Sequence, residues 1–195
     1  MVSYSLGEVL FIIFGGLLLS LILTWLPGFV FLGAPVIIAF STIFMTISTH
    51  TLRKKLVFSI RFSVSNMSYN AKVRFAFIAF MFLGVFALSG NSESFEYSSY
   101  DFFRVAIISP VFEEILFRGV ILGYLFSFTK LRFFSFAIVS FLFSCLHGQD
   151  LFIYSFLLSM LLCYTRLVTN SIFPCILLHS CHNALFLVLN GDLTS

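Results

Sequence analysis

Long apolar runs dominate this chain and constrain its fold more than any other feature. Because a helix needs about 20 mostly apolar residues to cross a bilayer, we interpret these runs as membrane-spanning helices. Only 10% of the 195 residues are charged, whereas soluble domains carry about 25%. Too few charges therefore remain to cover a water-soluble surface. The predicted spans are residues 6–26, 29–48, 75–89, 102–126, 133–147, 151–166 and 172–189.

The basic residues lie mainly on one side of these spans. Placing the loop after the second span in the cytoplasm, by the positive-inside rule, also places the 130–132 turn and Arg166 there. The acidic stretch of residues 89–101 then faces outward. The net charge of +3 is small and thinly spread, so a nucleic acid is not expected as a partner. Residues 1–195 are predicted to form a single transmembrane domain. The basic residues of the loop are Arg53, Lys54, Lys55, Arg61, Lys72 and Arg74.

The fourth span carries two adjacent carboxylates and an arginine, Glu113, Glu114 and Arg118. A charge inside a membrane costs about 2.5–3.5 kcal/mol on insertion scales, so such residues usually face a bundle interior or a wet cavity. Glu114 and Arg118 are four positions apart and can pair on one helix face. Glu113 projects from a different face of the helix, away from Arg118. The pattern fits either a structural ion pair with a protonated glutamate, or an acid–base carboxylate beside a charge that holds its neighbour.

Polar side chains also interrupt the fifth and seventh spans. Phe143 and His147 are four positions apart near the end of the fifth span. His179 and Asn183 have the same spacing in the seventh span, so both project from one face, and His182 lies on the same broad arc. Each of these residues has a structural alternative, because membrane helices use His and Asn to hydrogen-bond across helices.

Together the three spans supply the groups that hydrolysis of an amide by an activated water requires. These are a general base, a second base or orienting group, and two hydrogen-bond donors for an oxyanion. The sequence contains no G-x-S-x-G, Walker or H-E-x-x-H motif. No motif therefore supports a serine or cysteine nucleophile, although Cys181 lies within the cluster.

Three motifs in this order resemble those of the CAAX-protease and bacteriocin-processing enzyme family, which includes the type II CAAX prenyl endopeptidases. The resemblance covers residues 100–190, with Pro110 and Gly119 in the usual surroundings, and the first three spans carry no matching motif. Together the apolar runs and these motifs predict an all-α fold, a polytopic membrane helix bundle of about seven transmembrane helices with the catalytic core in the C-terminal four. The motifs are Glu113-Glu114-x-x-x-Arg118, Phe143-x-x-x-His147 and His179-x-x-x-Asn183.

The resemblance implies a membrane-embedded peptidase that cleaves a membrane-associated peptide or protein with a glutamate-activated water. Glu113 would be the base that activates water, and His147 would help to orient it. His179 and Asn183 would form the oxyanion hole.

Glu114 and Arg118 would hold the site together and are candidates for substrate contact, whereas the resemblance assigns no role to His182. Many relatives have been labelled metalloproteases, and the glutamate base and two histidines could in principle ligate zinc. Because His179 with Asn183 suits an oxyanion better than a metal, we expect no metal or other cofactor.

Eukaryotic members of the family trim prenylated C-termini on the cytoplasmic side, while many bacterial members process peptides or confer immunity to bacteriocins. This short, Phe-rich chain is more similar to the bacterial type, which would place it in a bacterial cell membrane. Two further classes stay open: a non-catalytic immunity or scaffold protein that binds a bacteriocin-like peptide or its receptor, and a proton-coupled transporter. A non-catalytic protein would tolerate loss of Glu113, yet all the candidate catalytic residues are present in this sequence. The second lacks support because the sequence shows no internal repeat.

Overall fold

A computed structural model describes residues 4–24, 41, 44, 50–61, 67–87, 95–129, 131–147, 149 and 151–194. Seven helices form within these residues, together with one pair of short strands. The prediction of an all-α fold is confirmed apart from that strand pair. The helices are α1 (Leu6–Thr24), α2 (His50–Ile60), α3 (Tyr69–Ala87), α4 (residues 99–128), α5 (Arg132–Cys145), α6 (Phe152–Thr169) and α7 (Phe173–Asn190), and the strands are β1 (Phe95–Ser98) and β2 (Gly191–Thr194).

Among the described residues, three helices, α1, α6 and α7, are long and apolar enough to cross a membrane. They expose large apolar side chains on their outward faces, including Phe14 and Leu18 on α1 and Leu189 on α7. Apolar surface of this extent is typical of a membrane interaction. The chain is therefore a multi-pass membrane protein, and the total of seven spans stays a prediction.

Most helices coincide with the spans predicted from sequence. Each span except the second overlaps one described helix, and the second, 29–48, lies outside the described residues apart from positions 41 and 44. The short helix α2 was not predicted, because it lies in the basic loop. Its Leu52 and Leu56 are four positions apart and both buried, while Lys55 lies 2.6 Å from Glu8 of α1.

Helix α4 is continuous but alternates between α-helical and π-helical turns. Pro110 explains the first π turn, because it lacks an N–H and its ring clashes with the carbonyl four residues earlier. The N–H of Ser109 donates to the carbonyl of Arg104, five residues back, so the carbonyl of Val105 loses its usual helical partner. The segments of α4 are Ser99–Phe103, Arg104–Ile108 (π), Ser109–Glu114, Ile115–Ile121 (π) and Leu122–Phe128.

Two buried apolar clusters pack the C-terminal helices around α6. One joins α4, α5 and α6, and the other joins α3, α6 and α7. Polar side chains between these helices are consequently shielded from lipid. The first cluster contains Phe117, Leu122, Phe136, Val139, Phe143 and Cys163, and the second contains Ile78, Phe82, Leu158, Leu162 and Cys175.

The strands β1 and β2 pair in parallel and tie the beginning of α4 to the end of α7. Phe95 lies opposite Gly191, and Tyr97 packs against Ala106 of α4 and Leu187 of α7. A Cβ atom at Gly191 would lie 2.6 Å from the Tyr97 ring, so only glycine fits this approach. The sequence did not reveal the pair, because four-residue strands are too short to show a clear alternating pattern.

A capping box begins α4 at the same end of the bundle. The Ser98 hydroxyl accepts the N–H of Asp101, and the Asp101 carboxylate accepts the N–H of Ser98. Arg104 lies 3.0 Å from the same carboxylate. The hydrogen bonds from Ser98, with a smaller effect of Arg104, lower the pKa of Asp101.

Candidate active site

A cavity of about 240 Å³ opens among α4, α5, α6 and α7. Glu113, His147, His179 and Asn183 all line it, so the structure brings the four predicted catalytic residues together. The other lining residues are Val105, Ser109, Phe143, Leu151, Tyr154, Ser155, Leu158, His182 and Phe186.

Glu113 reaches the cavity from α4 with one carboxylate oxygen fixed and the other facing two imidazoles. Ser109, one turn earlier, donates its hydroxyl hydrogen to Oε1 at 2.5 Å. Oε2 lies 3.9 Å from Nε2 of His147 and 3.8 Å from Nε2 of His179. It makes no hydrogen bond to any residue that the structure describes. These distances are too long for direct hydrogen bonds but suit one small oxygen-containing molecule held between the groups.

His147 follows the end of α5 and has a defined ring orientation. Its Nδ1 lies 2.8 Å from the carbonyl oxygen of Phe143. Because a carbonyl only accepts, Nδ1 carries a proton, and in this tautomer Nε2 presents its lone pair to the cavity. The ring also stacks on Phe143 with centroids 4.2 Å apart.

Glu114, Arg118 and His179 form a buried polar network behind Glu113. Oε1 of Glu114 lies 2.9 Å from Nη1 of Arg118 and 2.9 Å from Nδ1 of His179. Glu114 and Arg118 are fully buried, and Arg118 also donates to the Ser159 hydroxyl of α6 at 2.8 Å. Three helices thus meet at one carboxylate and one guanidinium.

Phe143 is the apolar centre of this network. The Arg118 guanidinium lies over its ring at 4.7 Å, and the ring of His179 meets it edge-on at 5.8 Å. A guanidinium over an aromatic face is attracted by the ring quadrupole. The phenylalanine of the second motif therefore positions both His179 and Arg118.

Asn183 lies on α7 one turn after His179. Its Nδ2 donates to the carbonyl of Val105 at 2.9 Å, the same carbonyl that the π turn of α4 leaves without a helical partner. A side-chain amide carries two N–H groups, so this contact uses only one of them. Asn183 thus joins α7 to α4 and keeps a second donor at the cavity wall.

Three site residues were not predicted from the sequence: Ser109, Tyr154 and Ser159. Tyr154 hydrogen-bonds through its hydroxyl to Nε2 of His182, which gives the buried His182 a structural place on the cavity wall. Ser109 lies four positions before Glu113, and this spacing could have indicated their contact on one helix face. No spacing could reveal the other two contacts, because they join different helices.

The described residues also bear on two other mechanisms, one with a cysteine nucleophile and one with a zinc ion. Cys181 is exposed on α7 and is not part of the cavity lining. Zinc would suit a glutamate with two histidines, but within the part of the chain that the structure describes no group of three potential ligands has metal-binding spacing.

The fold and the cavity define a multi-pass membrane protein with a partly buried glutamate–histidine site. Residues 95–185, which are 91 of the 195 residues, match the family model described as type II CAAX prenyl endopeptidase Rce1-like. The predicted resemblance is confirmed over this region, and similarity to this family implies an intramembrane peptidase. No curated protein and no solved structure matched in the other two comparisons.

Replacing Arg118 with alanine should destabilise the fold, because it leaves Glu114 buried without its cationic partner. Breaking a buried pair in this way typically costs about 3–5 kcal/mol. Arg104→Ala, which breaks the partly exposed pair with Asp101, should lower the melting temperature much less, because exposed ion pairs contribute little to stability. Thermal melts of both variants in one detergent measure the difference. Equal melting temperatures for Arg118→Ala and the wild type would show that the buried pair does not stabilise the bundle.

Proposed function

We propose that this chain is an intramembrane endopeptidase in which Glu113 activates a water that cleaves a peptide bond of a membrane-associated peptide or protein. The observation that carries the proposal is the position of Glu113 Oε2. This atom faces the cavity between two imidazole nitrogens at 3.8 and 3.9 Å, and its partner oxygen is held by Ser109. A fixed carboxylate with one free oxygen is suited to accept a proton from water.

The chemical step needs only groups that line the cavity. Glu113 takes one proton of the water while the water oxygen bonds to the substrate carbonyl carbon. Nε2 of His147 accepts a hydrogen bond from the second O–H of the same water and so orients it. The carbonyl electrons move to oxygen and form an oxyanion. When the intermediate collapses, the C–N bond breaks and the leaving nitrogen receives the proton that Glu113 holds.

His179 and Asn183 are the proposed donors to the oxyanion. Asn183 has one N–H left after its contact with the Val105 carbonyl. Because Nδ1 of His179 donates to Glu114, its Nε2 can donate only when the ring carries both protons.

Within the single transmembrane domain of residues 1–195, we assign the catalytic core to residues 100–190. Every lining residue of the cavity comes from α4 to α7 or from the turn between α5 and α6. The matched family region, 95–185, covers nearly the same part of the chain.

Glu113→Gln should abolish cleavage and leave the fold intact. An amide cannot take a proton from water, whereas its shape preserves the packing around Ser109. The purified protein is incubated with a peptide library, and mass spectrometry detects the products. The matched control is Glu8→Gln, the same change on α1, which should retain wild-type turnover. Cleavage by Glu113→Gln at the wild-type rate, with an unchanged thermal melt, would remove Glu113 as the base, whereas a wild type that cleaves no peptide would favour the non-catalytic immunity or scaffold protein.

Asn183→Ala should slow cleavage by about 10²–10³-fold, the usual cost of losing one oxyanion donor, and His179 should sustain the remaining rate. Asn190→Ala is the control, because Asn190 also lies on α7 and donates to the Phe186 carbonyl, but does not line the cavity. Rates are compared on one peptide in one detergent. Equal rates for the two variants would exclude Asn183 from the oxyanion hole.

Cleavage should not require a metal ion, since the proposed step uses only Glu113 and its neighbours. Treatment with phenanthroline should leave the rate unchanged, and elemental analysis should find no stoichiometric zinc. Zinc at one ion per chain, lost together with activity on chelation and regained on readdition, would contradict this mechanism.

A further inference from the structure

Several serines and threonines of this bundle direct their hydroxyl groups back along their own helix. Ser135, Ser144 and Ser155 each donate to the carbonyl oxygen four residues earlier, at 3.3, 2.8 and 2.8 Å. Thr165 and Thr169 do the same at 2.9 and 2.8 Å. Back-bonding of this kind satisfies a hydroxyl within its own helix. Apolar surroundings favour it, because an unbonded hydroxyl is costly there.

Ser109 of α4 departs from this pattern. Its hydroxyl donates forward to Oε1 of Glu113 at 2.5 Å, although the carbonyl of Val105 lies four residues earlier in the same helix. That carbonyl is already bonded, since Nδ2 of Asn183 on α7 donates to it at 2.9 Å. The acceptor that a helical serine ordinarily uses is thus occupied by a side chain of another helix.

The backbone of α4 explains why the carbonyl of Val105 is open to a side chain. In a regular α-helix its donor would be the N–H of Ser109, but that group donates to the carbonyl of Arg104. In a continued π turn its donor would be the residue five positions later, which is Pro110 and has no N–H. Neither helical pattern supplies a donor for this carbonyl, so a side chain must satisfy it.

Two side chains are in a position to do so, and the choice between them bears on Glu113. A serine hydroxyl carries one hydrogen, so Ser109 donates either to Val105 or to Glu113. With Asn183 on the carbonyl, that hydrogen goes to Oε1 of Glu113, and Oε2 is the oxygen that faces the two imidazoles at 3.8 and 3.9 Å. Without Asn183 the carbonyl would be left unbonded among apolar side chains, which draws the hydroxyl back to it.

We infer that Asn183 is a positioning residue for the general base, because by occupying the Val105 carbonyl it directs the Ser109 hydroxyl to Glu113. The inference rests on the proposed function for the role of Glu113, whereas the chain of hydrogen bonds stands on the structure alone. It joins two parts of the mechanism: the residue that is proposed to donate to the oxyanion also sets the carboxylate that activates water.

The chain of hydrogen bonds is tested by a structure of Asn183→Ala, which needs no turnover. Oγ of Ser109 should rotate to within about 3 Å of the Val105 carbonyl oxygen and leave Glu113. Asn183→Leu, which keeps the volume of the side chain and also lacks an N–H, replaces the alanine variant if that variant does not fold. A Ser109 hydroxyl that stays on Glu113 in the variant structure overturns the inference, even if Glu113 proves to be catalytic.

The effect on catalysis is tested by a double-mutant cycle on one peptide in one detergent. Ser109→Ala should lower kcat by about tenfold with KM nearly unchanged, because it removes a hydrogen bond to a charged group. Ser109→Thr, which keeps the hydroxyl, should restore the rate. Ser135→Ala is the control, because Ser135 does not line the cavity. In the Asn183→Ala background, Ser109→Ala should have little further effect, since the hydroxyl has already left the carboxylate.

The kinetic outcomes separate this inference from the proposed function. A wild-type kcat in Ser109→Ala, with Glu113→Gln inactive, would show that Ser109 does not position the base. Losses that simply multiply in the double variant would show that Asn183 acts independently of Ser109. Either result overturns the inference and leaves the role of Glu113 intact. Wild-type cleavage by Glu113→Gln would instead remove the proposed function, and the variant structure would still decide the chain of hydrogen bonds.

Discussion

The buried contact among Glu114, Arg118 and His179 is the interaction on which the rest of the site depends. Each of these groups alone would be costly inside an apolar bundle. Together with Ser159 they bind one another through contacts of 2.8 and 2.9 Å, although Oε2 of Glu114 and Nε of Arg118 make no hydrogen bond to the residues that the structure describes. Because the four residues lie on three helices, the same contacts fix α4 against α6 and α7. The position of Glu113 relative to the ring of His179 follows from that arrangement.

The first π turn of α4 also helps to build the site. Pro110 prevents a regular helix at this point, and the resulting turn frees the carbonyl of Val105. Asn183 of α7 satisfies that carbonyl and thereby comes to the cavity. Ser109, in the same stretch, holds Glu113. A local break in one helix thus places groups that are far apart in the chain around a single cavity, which is a common use of π turns at functional sites.

Most of the helices and part of the site could be predicted from the sequence, because their physical causes are local in the chain. Apolar runs predicted the helices, and the four-residue spacing of Glu114 and Arg118 predicted their contact. Contacts between helices were not accessible in this way, since helical spacing tells which residues share a face but not which faces meet. The contact of Tyr154 with His182 is such a case. The strand pair at residues 95–98 and 191–194 was also missed, because each strand has only four residues.

The central claim is that a water held by Glu113 attacks the peptide carbonyl. A structure of the protein with a peptidyl aldehyde, which hydrates to mimic the tetrahedral intermediate, tests this claim most directly. We predict that one hydroxyl of the hydrate lies within hydrogen-bond distance of Glu113 Oε2 and that the other oxygen lies against Asn183 and His179. An inhibitor bonded covalently to Cys181, or one bound with Glu113 out of reach of both oxygens, would contradict it.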